Sequence, residues 1–307
     1  MTVPQANGAA SPHRLLPIAV VAIAVLAVSH GAIFARMAAA PALAIAAWRL
    51  SIAAAFVALI VPWHWRSLRA SMTRSAGLAT VGASLCLALH FATWISSLNY
   101  TSVSNSVILV NTSPIWVALF GWLSRADRPA PRTLLAIALA VAGAAIIGLA
   151  SGRDTHAGAL GDLLALAGGA AMGGYLLFAR VARLQLPLVP YLFCCYSAAA
   201  VVLWMVALGS GAAMNGYDAA TWLALLGIAV IPQLIGHSGY NWSLRFLHPS
   251  TVSVTLLGEG VIGSALAFIY FGEAVPGATW VGGPLVLVAI WLATTAERSA
   301  RAQDRRR

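Results

Sequence analysis

One carboxylate lies inside a long apolar stretch of this sequence, and its chemistry needs an explanation. Glu259 falls within TVSVTLLGEGVIG, residues 251–263, where the other residues are apolar or small. Thr251 and Thr255 precede it at intervals of four, which predicts one polar stripe on a helix. A buried carboxyl group can carry a proton or hold a structural hydrogen bond. Both readings remain open for Glu259: a coupling site or a structural carboxyl.

Other polar and aromatic side chains recur at helical spacing in neighbouring apolar stretches. His90 and Trp94 stand at i and i+4, and Gln233, His237, Tyr240 and Asn241 form a second stripe. Amides, imidazoles and aromatic faces with few fixed charges favour a neutral or zwitterionic ligand that carries a ring. The alternative for each is a hydrogen bond between helices. The predicted substrate-binding residues are His90, Trp94, Asn111, Tyr175, His237 and Asn241.

The sequence contains no convincing catalytic, metal or cofactor site. GHSG, residues 236–239, resembles the serine motif of rhomboid-type intramembrane proteases, with Ser238 as nucleophile. Such chemistry needs a histidine base from another helix, and the only later histidine, His248, falls in a predicted loop. HExxH is absent, and the three cysteines lie inside apolar runs. We therefore expect no enzyme, no bound metal and no cofactor.

Composition places these residues in a membrane protein. Of 307 residues, 61% are hydrophobic and 8% charged, whereas soluble domains carry about 25% charged residues. A spanning helix needs about 20 mostly apolar residues. Ten such segments are predicted, which makes an all-α membrane protein of ten transmembrane helices: 15–38, 41–61, 76–98, 101–123, 132–150, 159–181, 187–209, 221–243, 249–271 and 276–295.

The arginines indicate how the chain is oriented. The protein has no lysine, and its arginines lie in short gaps between apolar segments rather than on one patch, so we expect no nucleic-acid partner. With the N-terminus inside, fifteen arginines fall in inner loops or tails and two in outer loops. This bias predicts a multi-pass protein of the inner membrane. Its cytoplasmic tails would be residues 1–14 and the arginine-rich residues 296–307.

The chain also carries signs of an internal duplication. At an offset of 146 residues, Ser97-Leu98 matches Ser243-Leu244, and Asp127 matches Glu273. These matches divide the chain into two five-helix repeats, residues 15–150 and 159–295. An odd number of helices per repeat means that the copies insert in opposite senses, as in many transporters whose substrate site lies between the repeats. We therefore expect two inverted repeats around a central cavity.

The same segments resemble the drug/metabolite transporter superfamily, in its ten-helix EamA-type branch. The second half has Glu259-Gly260 followed by AFIYFGEAVPGATWVGGPLVL, residues 267–287, and the first half has Ser113-Pro114 followed by Asp127 and ALAVAGAAIIGL, residues 138–149. Neither half has a complete Glu-Pro pair. Arg49 looks like an arginine of the family's second helix, and we expect it to be structural or to reach outward.

Within that superfamily the chain looks most like the aromatic amino-acid exporters, in its third and fourth helices. The resemblance implies export of a small molecule across the lipid bilayer by alternating access, and we expect an aromatic or another small neutral or zwitterionic amino acid. Protons are the candidate coupling ion because of the buried carboxyl group of Glu259. Two other transport functions stay open: export of drugs or other small amphipathic metabolites, and flipping of a lipid-linked sugar. An intramembrane protease is the alternative from a different class.

Overall fold

A computed structural model describes residues 12–101, 106, 109–124, 129–150, 158–272, 275 and 277–304. Side chains are described within these ranges except at residues 12–15, 148–150 and 297–304. Asp127 and Glu273, which carried part of the predicted duplication, lie outside the described residues, as does most of the predicted N-terminal tail.

The described residues fold into helices without any strand, and the helices fall within the apolar segments of the sequence. Eight are long and apolar enough to cross a membrane, and two, α4 and α5, are shorter apolar helices. Their bounds are α1 Leu16–Met37, α2 Ala42–Ser71, α3 Arg74–Ser97, α4 Ser113–Ser124, α5 Pro131–Ile147, α6 Ala159–Gln185, α7 Leu188–Gly209, α8 Ala219–Ser243, α9 Pro249–Phe271 and α10 Thr279–Ala296. Helical structure begins at Pro12 before α1 and continues to Ala150 after α5 and to Asp304 after α10.

Several helices contain local irregularities. A turn at Ser29 and His30 interrupts α1, and a turn at Leu257 divides α9 two residues before Glu259. The second predicted segment ends at residue 61, but α2 continues past Pro62, which lies in a single 3₁₀ turn, Val61–His64. Proline is tolerated there because the first turn of a helix has no need of its missing N–H.

The outer surface of the helices is apolar. Large side chains such as Leu26, Leu85 and Val201 are exposed near the middle of their helices. A contiguous apolar surface of this kind is stable only against lipid or another protein. Together with the eight long apolar helices, it identifies a multi-pass membrane protein.

The contacts between helices repeat in the two halves of the chain. When helices α1–α5 are matched in order with α6–α10, the contact of α3 with α6 corresponds to that of α8 with α1, and both are extensive. The contacts α2–α7 and α5–α10 correspond to themselves. A two-fold axis that relates the halves would produce this pattern. It would exchange the α3–α6 contact with the α8–α1 contact, and it would map the α2–α7 and α5–α10 contacts onto themselves.

The α5–α10 contact is a direct approach of two backbones. A Cβ added to Gly143 would lie 2.6 Å from the carbonyl oxygen of Gly282, and one added to Gly282 would lie 2.4 Å from that of Gly143. Small residues at such crossings let membrane helices gain close packing in the absence of a hydrophobic driving force. Any side chain at either position must push the helices apart.

We predict that Gly143→Ala lowers the free energy of unfolding by about 1–3 kcal/mol, the usual cost of inserting a methyl group into a closed contact. Gly263→Ala is the matched control, because a Cβ at Gly263 in α9 meets nothing within 4 Å. The control should be neutral or slightly stabilising, since alanine favours the helix. Thermal unfolding of both variants in detergent provides the measurement, and equal stability of the two would contradict the backbone contact.

Candidate functional site

The middle of α8 has a π-helical segment, and this segment carries two of the polar residues of the predicted stripe. Residues Ala229–His237 form nine residues of π-helix with Pro232 inside. π-Helical turns are rare and occur often at functional sites. Both Gln233 and His237 are buried, and α8 packs closely against α1 here, since a Cβ at Gly236 would lie 2.4 Å from a methyl of Val28.

Arg49 of α2 reaches this segment. Its Nε donates a hydrogen bond to Oε1 of Gln233 at 2.7 Å, and its guanidinium carbon lies 4.2 Å from the centre of the Phe91 ring. The side chain is only 2% exposed, so the expectation that Arg49 reaches outward is wrong. The hydrogen bond and the aromatic face hold the cation inside the protein, where it avoids the lipid.

Aromatic rings connect Arg49 to the predicted substrate residues. Phe91 meets His237 edge to face at 5.4 Å between ring centres, and His90 stacks on Trp94 at 5.7 Å with 12° between the planes. The carbonyl oxygen of Gly168 lies 2.9 Å from Nδ1 of His90. A carbonyl only accepts, so Nδ1 must carry the proton. His90 is thereby fixed against α6.

Tyr175 of α6 and Asn241 of α8 bond to each other. The Tyr175 hydroxyl donates to Oδ1 of Asn241 at 2.9 Å, and the amide nitrogen of Asn241 donates to the His237 carbonyl at 2.8 Å. Both side chains are fully buried. The Tyr175 ring also lies 6.3 Å from that of His237. This pairing ties α6 to α8 next to the aromatic rings.

Glu259 and Asn111 are more exposed than Arg49, Tyr175 and His237. Both are half-buried, and the Nδ2 of Asn111 is 4.0 Å from where a Cβ of Gly260 would stand. Glu259 lies within electrostatic range of Arg49 and of Tyr240. Within the described part of the chain Glu259 forms no direct ion pair, so an ionised Glu259 would act on Arg49 from a distance.

Two apolar grooves lie elsewhere, on the outside of the helices. One, of about 550 Å³, is lined by residues of α3 and α6 around Leu78 and Phe178, and the other, of about 570 Å³, by residues of α3, α4 and α6 around Cys86 and Phe120. None of the predicted substrate residues lines either groove. The apolar lining of both grooves fits contact with lipid chains.

The serine of GHSG is bonded to groups that cannot act as a base. The Oγ of Ser238 lies 3.1 Å from the Tyr196 hydroxyl and 3.4 Å from the Gln233 carbonyl. In the part of the chain that the structure describes, no histidine hydrogen-bonds to Ser238. A serine nucleophile needs such a partner, so this geometry gives no support to the protease alternative.

Most of the predicted substrate residues thus lie together. His90, Trp94, Tyr175, His237 and Asn241 are connected through rings and hydrogen bonds, whereas Asn111 is placed near Glu259 instead. Sequence reasoning undervalued Arg49 and did not single out Phe91. The signal for Arg49 was available: an arginine in the apolar stretch AAWRLSIAAA is costly unless it has partners inside the protein.

The comparisons with known proteins agree with this architecture. The model of the EamA-like transporter family matches residues 15–149 and again residues 159–295. The chain belongs to the EamA-like transporter family. Members of this family are membrane transporters of the drug/metabolite type, so the resemblance at the level of the superfamily is confirmed.

Relatives of known structure share the fold of this EamA-like protein. One solved crystal structure superposes with a TM-score of 0.77, covers 93% of this chain and 99% of its own, and has 17% sequence identity. At that identity the likeness establishes the fold alone. No curated protein sequence matches the chain significantly.

The Tyr175–Asn241 pair of this EamA-like protein yields a stability prediction. Tyr175→Phe removes the donor to Oδ1 of Asn241 and leaves a buried acceptor without its partner, so unfolding should become easier by roughly 0.5–2 kcal/mol. Tyr270→Phe is the control, because the Tyr270 ring is 48% exposed. Unfolding in mixed micelles measures both, and an equal effect of the two substitutions would argue against a buried hydrogen bond at Tyr175.

Proposed function

We propose that this protein exports aromatic or other small neutral or zwitterionic amino acids by alternating access. In this proposal ten transmembrane helices form two inverted repeats, residues 15–150 and 159–295, around a central cavity. The protein lies in the inner membrane with both termini in the cytoplasm. Protons are the proposed coupling ion, with Glu259 as their carrier.

The family and the repeated contacts support the transport mechanism. Members of the EamA-like family are transporters, and the family model matches the chain twice. The correspondence of α3–α6 with α8–α1 is what two similar halves related by a two-fold axis would produce. Alternating access in duplicated transporters uses such motion around a site between the repeats.

The observation that carries the substrate proposal is the set of aromatic rings and hydrogen-bonding groups between α3, α6 and α8. The stacked pair His90 and Trp94 offers ring faces, while Tyr175, His237 and Asn241 offer polar edges. Aromatic rings attract other rings through stacked and edge-to-face contacts. Asn111, half-buried near Glu259, adds an amide at the margin of this set.

Two other transport functions draw on the same observation. Drugs and other small amphipathic metabolites also carry rings and few charges, so the aromatic set would accommodate them. A lipid-linked sugar carries phosphate, which favours a pair of basic residues. Among the described residues beside the aromatic set, Arg49 is a single buried cation, so a lipid-linked sugar fits less well. We therefore rank amino-acid export first and use a panel of substrates to separate the three.

We predict that proteoliposomes with this protein transport phenylalanine, tyrosine and tryptophan faster than alanine, and faster than a nucleotide sugar. Trp94→Leu should lower transport of the aromatic amino acids roughly three- to tenfold, because a ring contact contributes about 0.5–1.5 kcal/mol. Trp280→Leu is the matched control, since Trp280 is 76% exposed on the outer surface. Uptake of labelled substrates provides the measurement.

The panel separates the proposals. If alanine and the aromatic amino acids are transported equally fast, the aromatic set does not select the substrate. A cationic aromatic drug and a lipid-linked sugar complete the panel, and if one of these two is the only compound transported, amino-acid export is wrong. If Trp94→Leu and Trp280→Leu have the same effect, the stacked pair has no direct part in transport.

We predict that Glu259→Gln abolishes the response of transport to a pH gradient while exchange of labelled for unlabelled substrate continues. Glutamine keeps the size and hydrogen-bonding capacity of the side chain but cannot carry a proton. Asp218→Asn is the matched control: Asp218 caps α8 by accepting from the Thr221 N–H at 2.8 Å, and asparagine caps equally well. Transport is measured in proteoliposomes with and without an imposed pH gradient.

An unchanged pH response in Glu259→Gln would reject proton coupling through this residue. Loss of folded protein would instead identify Glu259 as a structural carboxyl, the second reading of its position in α9. Size-exclusion chromatography of the purified variants distinguishes these outcomes.

A further inference from the structure

Arg49 has hydrogen-bonding capacity that the protein does not use. Its Nε is bonded to Gln233 and one face of its guanidinium lies against Phe91, but one terminal nitrogen, Nη2, is buried with no partner. Buried charges in proteins are almost always paired, because an unpaired one loses the stabilisation that water gave it. The buried Nη2 of Arg49 therefore needs a hydrogen-bond acceptor that the side chains around it do not supply.

Gln233, which is hydrogen-bonded to Arg49, also has a buried donor without a partner. Its Oε1 accepts from Arg49, while its Nε2 is buried and unpartnered. The amide is fully buried and the guanidinium nearly so. Because the two side chains are hydrogen-bonded to each other, their empty N–H groups belong to one small region. His237, which meets the same Phe91 edge to face, also has an unpartnered buried Nδ1.

Arg183 shows how a buried arginine of this protein is satisfied when its role is structural. Its Nε donates to the Asn241 carbonyl at 3.0 Å, and its Nη1 donates to the Leu186 carbonyl. None of its nitrogens is buried without a partner. Arg183 joins α6 to α8 through backbone oxygens that are always present. Arg49 has no such backbone partners for its empty nitrogen.

The empty groups of Arg49 and Gln233 are donors, so they fit a ligand that only accepts. A carboxylate has this chemistry, and it pairs with a guanidinium more strongly than with any neutral donor. Glu259 lies within electrostatic range of Arg49 and attracts it when ionised. A zwitterion could therefore place its carboxylate at Arg49 and its ammonium group towards Glu259.

We propose that the Arg49 guanidinium and the Gln233 amide together bind the carboxylate of a zwitterionic substrate. This rests on the proposed amino-acid transport and names the group of the substrate that the site recognises. The rings of Phe91 and His237 lie beside the bound carboxylate, and the aromatic set around His90 and Trp94 receives the side chain of the amino acid. In the empty protein the donors are closed off from solvent and open to the ligand when the repeats move.

The test compares three compounds that share one ring and differ only in charge: phenylalanine, phenethylamine, which lacks the carboxylate, and 3-phenylpropionate, which lacks the amine. Binding is followed by thermal stabilisation of the purified protein, and transport is followed in proteoliposomes. Arg49→Gln should weaken binding and transport of phenylalanine and 3-phenylpropionate tenfold or more, and leave phenethylamine unchanged. Gln233→Leu should act in the same direction with a smaller effect.

Arg183→Gln is the matched control, because it removes a buried arginine whose nitrogens bond to the backbone. Any effect of Arg183→Gln should be equal for the three compounds. If Arg49→Gln also weakens all three equally, Arg49 is structural and its empty nitrogen binds internal water, which overturns the proposal. If Arg49→Gln does not fold, Arg49→Lys replaces it: lysine keeps the charge but loses the planar fork of donors.

For Arg49→Lys, the preference for phenylalanine over phenethylamine should fall at least threefold, and an unchanged preference overturns the proposal. The wild-type protein separates this result from the proposed function. If the wild-type protein neither binds nor transports phenylalanine but does bind and transport phenethylamine, the proposal of amino-acid export is wrong. If it transports phenylalanine and Arg49→Gln leaves the preference over phenethylamine unchanged, only the proposed carboxylate site is wrong.

Discussion

The lack of water in the bilayer core governs this structure. In hydrocarbon every polar side chain needs a partner inside the protein, since water cannot supply one. The bundle therefore gathers its polar groups inside: the guanidinium of Arg49 bonds to an amide on α8, and the Tyr175 hydroxyl bonds to Asn241. Large apolar side chains are left to face outward. The bond of Arg49 joins helices from the two halves of the chain, whereas the bond of Tyr175 joins two helices of the second half.

Close approach of helices makes these bonds possible. The His90 ring reaches the Gly168 carbonyl because α6 lies against α3 where a Cβ on Gly168 would come within 3.1 Å of Trp94. Gly236 allows a similar close approach of α8 to α1. At these crossings glycine has no side chain to keep the backbones apart, and the close backbones gain van der Waals attraction, which stabilises helix packing in a membrane. Site geometry and helix packing are therefore set by the same residues.

Much of the architecture was predictable from sequence, because long apolar segments and short gaps follow directly from the thickness of the bilayer. The stripe of Gln233, His237, Tyr240 and Asn241 was also readable, and all four side chains are buried. The inward path of Arg49 was not, because a long side chain can extend either way from its helix and only the position of Gln233 decides the direction. Periodicity also treats Thr255 and Glu259 as neighbours on one continuous helix, whereas a turn at Leu257 interrupts the helix between them.

The π-helical segment of α8 has a geometric consequence for everything that follows it. A π-turn contains one residue more than the turn of an ordinary helix. If residues Ala229–His237 tightened to the usual repeat of the α-helix, the chain beyond them would rotate around the helix axis relative to the residues before them. Tyr240 and Asn241 would then point to different neighbours. A change between π- and α-helical winding in this segment would therefore exchange the side chains that α8 presents to a given neighbour.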